Sequence, residues 1–273
     1  MVDVPRYFES CWGRLETGSL QKVAARVRRN AQKTAVSGTE YTTIIMVVSP
    51  AGSDADAGAS GLATAKTLLE HTDADVVVAE RAGTVGGVFA DAYEGARMVS
   101  SKYVTAFSDF RVGDAAASHL SLDDYVAYLH CYAVEHDLMR YMRHASVDDI
   151  SKTRRGYRAT LSDGSVEAFD RVAVCSGLHQ APKIPQIPGA FKGLVLHSQD
   201  YKEPSIFDGQ RVVVVGCGET AFDVAHAAAA SGAAHVTLAT RRGFVSVPAC
   251  VENQPVCRVH PITLHEALST RLH

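Results

Sequence analysis

Residues 211 to 239, RVVVVGCGETAFDVAHAAAASGAAHVTLA, restrict this chain to few folds. A β-branched run of four valines is the signature of a short strand, and the alanine-rich stretch after it is long enough for a helix. HVTLA then resumes the strand pattern, so the whole reads as a βαβ unit. At its turn stand Gly216, Cys217, Gly218, Glu219, Thr220 and Ala221, a GxGxxA fingerprint between strand and helix. Gly216 allows a tight turn, Gly218 lets backbone approach a pyrophosphate, and small Ala221 lets the helix pack on the strand. The phosphates then lie at the helix N-terminus. Cys217 reads as a spacer without redox chemistry.

An earlier stretch repeats this plan. TTIIMVV (42–48) and ADVVVAE (74–80) have the apolar, β-branched character of buried parallel strands. Between them GLATAKTLLEH places Leu62, Ala65, Leu68 and Leu69 on one helical face. Gly58 and Gly61 open that helix, and Glu80 ends the following strand, where an acid accepts hydrogen bonds from an adenosine ribose. Gly86 and Gly87 come next in TVGGVF. The segment SPAGSDA separates Val48 from Asp56, which occupies the place of the first fingerprint glycine. Removing Ser49 to Ala55 and changing Asp56→Gly would restore a complete GxGxxG, so the segment reads as an insertion. A carboxylate about 5 Å from a pyrophosphate costs ~3 kcal/mol at an effective dielectric near 20, which would weaken dinucleotide binding.

The two units differ at the ends of their second strands. Glu80 marks the first as an FAD site. In the second, Thr240 leads into Arg241 and Arg242, and a guanidinium on a 2'-phosphate is worth about 1.5–3 kcal/mol, which favours NADPH over NADH. GYRATLSDGSVEAF has a Ser-Asp-Gly-Ser turn between alternating runs and predicts a hairpin; RVAVCSG after it predicts another buried strand. The expected fold class is α/β, with two Rossmann-like dinucleotide-binding units. Residues 1–40 form a helical or disordered arm, 41–205 an FAD-binding domain and 206–273 a partial NADPH-binding domain.

Composition narrows the function classes. A formal net charge of -3 carries no basic excess and argues against nucleic-acid binding. The six cysteines include no CxxC pair and no metal-ligand spacing, and read as reduced intracellular thiols. No apolar run reaches the roughly 18 residues of a membrane span, and residues 1–20 lack the apolar core of a secretory signal. The basic helix pattern of residues 20–39 reads as a solvated arm. The expectation is a cytoplasmic protein that acts on a small molecule.

Between the two units lies FKGLVLHSQDY, residues 191–201, which matches FxGxxxHxxxY through Phe191, Gly193, His197 and Tyr201. Here the chain resembles the flavin-containing monooxygenases, from about residue 58 to about residue 248. GGVF, KYVTAFSDF (102–110), VCSGLHQAPKIPQIPG (174–189) and VVVVGCGETAFDVA carry the same resemblance. It implies an enzyme in which NADPH reduces FAD, and the reduced flavin then uses dioxygen to oxygenate a soft nitrogen or sulfur atom. It implies that the segment around His197 links the two domains and helps arrange the oxygenating complex, with His197 as the catalytic-site residue. Baeyer-Villiger relatives usually end this motif in Trp-Pro, whereas this chain has Tyr201-Lys202, so heteroatom oxygenation is the expected branch. Aligning on Lys102 puts Val99 where many members have a cofactor-contacting Asn. Relatives also continue well beyond the second fingerprint, whereas this sequence stops at His273. A truncated, non-catalytic nucleotide-binding remnant therefore stands as the alternative.

Overall fold

The computed structural model describes residues 57–177, 179, 182–244, 249–251, 254, 255 and 257. The expected first strand at 42–48 and the segment around Asp56 lie outside the described residues, as does the N-terminal arm. Two compact units share the chain. The first comprises the described residues of Met1–Asp91, Val112–Ala116 and Asp123–Ala181, the second those of Ala92–Arg111, Ala117–Leu122 and Pro182–His273.

In the first unit, helix α1 (Ala59–His71) starts directly at Gly58 and buries Gly61, Leu62 and Ala65. Leu68 and Leu69, the other expected members of that face, are half-buried. Thr64 and Thr67 within the helix, and Thr72 as its C-cap, return their hydroxyls to carbonyls four residues back, at 2.7–2.8 Å. Strand β1 (Val78–Glu80) is fully buried and pairs in parallel with β2 (Met142–His144), register Glu80↔His144. Between β1 and β2 the chain also forms a short helix α2 (Lys102–Thr105), which belongs to the second unit, and α3 (Leu122–Glu135), which lies almost wholly in the first. Helix α3 buries Tyr125, Tyr128, Leu129, Tyr132 and Ala133, an i, i+3, i+4, i+7, i+8 stripe, and Asp123 and Asp124 in its first turn suit the helix dipole.

Strands β3 (Val147–Thr153), β4 (Gly156–Leu161) and β5 (Val166–Phe169) form an antiparallel sheet, and β4–β5 is the expected hairpin. Ala79, Ala145, Val147, Ala159, Leu161 and Phe169 make the core between this sheet and β1. Arg143 in the middle of β2 ties the two sheets together electrostatically: its guanidinium donates to Asp163 Oδ2 at 2.7 Å, to Ser165 Oγ at 2.8 Å and to Glu167. Hydrogen bonds from Ser165, then Arg143, hold the Asp163 carboxyl below the usual carboxylate range. RVAVCSG departs from the sequence expectation. Residues 171–177 form no strand, and Val174 is exposed. A β-branched run becomes a strand only where a neighbour accepts its ladder, and none does so among the described residues.

The second unit holds the βαβ unit as expected. Strand β6 (Arg211–Val215) runs parallel to β7 (His235–Ala239), in register from Arg211↔His235 to Val215↔Ala239, with helix α4 (Glu219–Ala230) as crossover. Val212, Val214 and Val236 pack with Tyr201, Phe207, Val224 and Ala228. The other face differs from a strand buried on both sides: Val213 is 63 % and Val215 60 % exposed. One helical layer covers this sheet among the described residues, and side chains alternate about a strand, so half the valines face outward. A short antiparallel pair, β8 (Cys250–Val251) and β9 (Gln254–Pro255), closes the described chain where the sequence carries no regular pattern.

Candidate functional site

The first glycine cluster forms inside the first unit. Gly58 is the N-cap of α1 in extended backbone, and no side chain caps the helix. Gly86 donates its N–H to the carbonyl of Ala57 at 3.0 Å, which draws the TVGG turn onto the start of α1. Gly87 has φ +60°, and a Cβ built on it would lie 2.9 Å from Gly58 Cα. A Cβ on Gly86 would strike Ala90 and Val126. These two turns can approach only because neither carries a side chain. The uncapped helix start leaves N–H donors without intrahelical partners, the donor set an anionic pyrophosphate needs. Glu80, 2 % exposed at the end of β1, accepts a hydrogen bond at Oε1 from Ala82 N–H at 2.6 Å. Gly61 is buried in the first turn of α1.

The second cluster is simpler. Gly216 has φ +142° and donates its N–H to Ala239 O at 3.0 Å, so the turn leaves β6 still bonded to β7. A Cβ at Gly216 would lie 3.5 Å from Ala221 Cβ, an ordinary contact, so the positive φ is what favours glycine there. Gly218 caps α4 in extended backbone, again with no side-chain cap, and a Cβ there would meet nothing within 4 Å. That open space lies at a helix N-terminus, where a phosphate would fit. Arg241 and Arg242 are exposed just past β7, in a turn that Gly243 N–H closes on Thr240 Oγ1 at 3.2 Å. Cys217 is exposed.

The motif between them in sequence is part of the second unit. His197 is half-buried and its Nδ1 accepts from Gln199 N–H at 3.2 Å, which leaves Nε2 to carry the proton of the neutral ring. Phe191 is exposed, and its ring folds over Gly193, where a Cβ would clash at 2.5 Å. Tyr201 is 1 % exposed, packed between Tyr93 (centroids 5.3 Å) and Phe207 (5.2 Å), and its hydroxyl has no hydrogen-bond partner among the described residues. Val99 is exposed. Tyr93, Asp223 and Val126 are absent from the sequence expectations: their neighbours lie far along the chain, and no local pattern marks them.

Two uncapped glycine turns, each opening the helix of a Rossmann-like unit, flank FxGxxxHxxxY along the chain. Residues 54–254 match the family described as "Flavin-binding monooxygenase-like". This chain belongs to that family. Within it, the chain is 38% identical over 206 residues to "Monooxygenase ptmN" of Penicillium ochrochloron, covering 70% of this chain and 34% of that protein. Among solved structures, S-allyl-L-cysteine S-oxygenase from Allium sativum superposes with TM-score 0.66 at 22% identity, covering 79% of this chain and 54% of that one. Cyclohexanone monooxygenase from Rhodococcus sp. Phi1, bound to NADP+, superposes with TM-score 0.62 at 23% identity, covering 85% and 43%. The chain thus has the fold of flavin monooxygenases and spans about a third of the length of the curated relative. Among the described residues, no helix is long and apolar enough to cross a membrane.

Proposed function

We propose that the chain carries the FAD-binding region and part of the NADPH-binding region of a flavin-dependent monooxygenase that uses FAD, NADPH and dioxygen to oxygenate a nitrogen or sulfur centre of a small molecule. The observation that supports this best is the pair of uncapped glycine turns, one before and one after the His197 motif in the chain. Gly58, Gly61, Gly86 and Gly87 would hold the FAD pyrophosphate and Glu80 its ribose, within residues 41–205. Gly216, Gly218 and Ala221 would receive the NADPH pyrophosphate and Arg241 and Arg242 its 2'-phosphate, within residues 206–273. Bound FAD supplies the electron transfer and oxygen activation; the protein binds, orients and excludes water. His197, with Nε2 as its donor, is the polar member of the motif. Tyr201-Lys202 at the motif's end favours heteroatom oxygenation, and the S-oxygenase activity for which the Allium relative is named is of that kind. The likeness to cyclohexanone monooxygenase favours a second reading, Baeyer-Villiger oxygenation.

Purified chain should retain flavin absorbance after desalting, oxidise NADPH, and convert a test sulfide or amine to its oxide. In His197→Ala the fold, read by circular dichroism, should persist while oxygenation falls. Ester or lactone from a ketone, with no sulfoxide, would establish the second reading. Nucleotide binding without NADPH oxidation would leave a non-catalytic nucleotide-binding chain, and a colourless protein that binds neither nucleotide would end both readings.

A further inference from the structure

Helix α4 begins at Gly218 with no side chain to cap it; its first turn is closed by the Ala221 and Phe222 N–H groups on the Gly218 carbonyl and is held from outside by one further residue of the second unit. Tyr93 reaches it. The Tyr93 hydroxyl donates to Asp223 Oδ2 at 2.7 Å. Asp223 is the fifth residue of the helix, so the phenol holds the end of its first turn. Tyr93 is itself fixed. Its ring lies against Tyr201, which packs on Phe207, and the neighbouring Glu94 N–H donates to Lys202 O at 2.8 Å. The ring also packs on the cluster of Tyr201, Phe207, Val224 and Ala228. Burial first, then Asp223, pushes the phenol's ionisation up, so Tyr93 stays a neutral donor at any ordinary pH.

We propose that Tyr93 is a positioning residue for the nicotinamide nucleotide: through Asp223 it sets the first turn of α4, and so the aim of the N–H groups that receive the pyrophosphate. The inference rests on the reading that the Gly216–Ala221 turn holds NADPH. Hydrogen bonds weaken steeply as the donor angle departs from linear, so a helix start left to fray loses affinity for an anion while the helix itself survives. The same aromatic stack carries Tyr201, which ties this end of the FxGxxxHxxxY motif to the nucleotide turn.

The test is calorimetric titration of NADPH into the full chain, well below its melting temperature. The variants are Tyr93→Phe, Asp223→Leu, Asp223→Asn and the double change Tyr93→Phe/Asp223→Leu, with thermal midpoints measured on the same samples. Tyr93→Phe and Asp223→Leu should each weaken NADPH about tenfold, the worth of a hydrogen bond to a charged group. Asp223→Asn keeps an oxygen acceptor and should stay within about threefold of wild type. The double variant should be no weaker than either single change, because both remove one interaction. Phe keeps the ring packing, and Asp223→Leu carries the same expectation should Tyr93→Phe fold poorly. Wild-type affinity in both Tyr93→Phe and Asp223→Leu overturns the proposal and leaves the NADPH site standing. Wild-type protein that binds no NADPH overturns the site and the proposal together.

Discussion

Arg241 and Arg242 stand exposed where β7 gives way to a turn. Their value to a 2'-phosphate is therefore the lower part of the charge-assisted range, and it is screened by salt. Replacing both by alanine should weaken NADPH about tenfold and leave NADH unchanged, with a shallower salt dependence in the variant. Equal affinity of the wild type for the two nucleotides would refute the assignment. Cys131 is a contrasting residue: burial pushes its thiol up to about 11, which removes it from thiolate chemistry near neutral pH.

At the scale of elements, the two glycine turns are built differently. The Gly216 turn is closed by its own βαβ unit, whereas the start of α1 is shaped by a second turn arriving from Gly86 and Gly87. Gly87→Ala forces a side chain into the left-handed region and against the Gly58 backbone, and should cost about 1–3 kcal/mol. In a protein of this size that lowers the melting temperature by roughly 3–10 °C. Gly113, with nothing within 4 Å of an added Cβ, is the control, and Gly113→Ala should melt like wild type. Equal midpoints for Gly87→Ala and Gly113→Ala would mean that the two turns do not touch. The half-exposed β6 has the same kind of cause as the missing strand at 171–177. A β-branched run states that a residue suits a strand, and a neighbouring layer or ladder determines whether it is buried or paired.

For the whole molecule, the buried phenols set a limit at high pH. Tyr93, Tyr125 and Tyr201 all have their ionisation pushed up, chiefly by burial, and so does Cys131. Each is neutral in the fold at a pH where the unfolded chain has begun to lose the proton. Their contribution is complete below the unfolded values, about 8.5 for a thiol and about 10 for a phenol, and is lost as pH rises through the folded values. The melting temperature should thus hold up to about pH 8.5 and fall above it. The variant Cys131→Val/Tyr93→Phe should show a gentler fall, and an identical slope in variant and wild type would refute this origin. At the acid end Asp163 acts in the opposite sense. Its depressed carboxyl supports the fold above the ordinary carboxylate range, and that support is lost as pH drops through it.

Much of the architecture is legible from the sequence alone. VVVVGCGETA specifies strand, turn and helix, because the β-branched run, the positive φ that favours Gly216 and the helix start at Gly218 all fall within one short segment. The helix after Gly58, the burial of Glu80 and the hairpin around Ser162–Ser165 come from equally local periodicity and turn chemistry. The tyrosine-lined helix α3 is legible in principle, since its stripe repeats at helical spacing, but no fingerprint draws attention to it. Tertiary structure alone decided that Gly87 meets Gly58, that Tyr93 reaches Asp223, that Arg143 joins two sheets, and that Val213 and Val215 of β6 are exposed. The physical reason is range. Propensity and periodicity act over a few residues, while these contacts join positions far apart in the chain and exist only once the backbone has folded to bring them within a few ångströms.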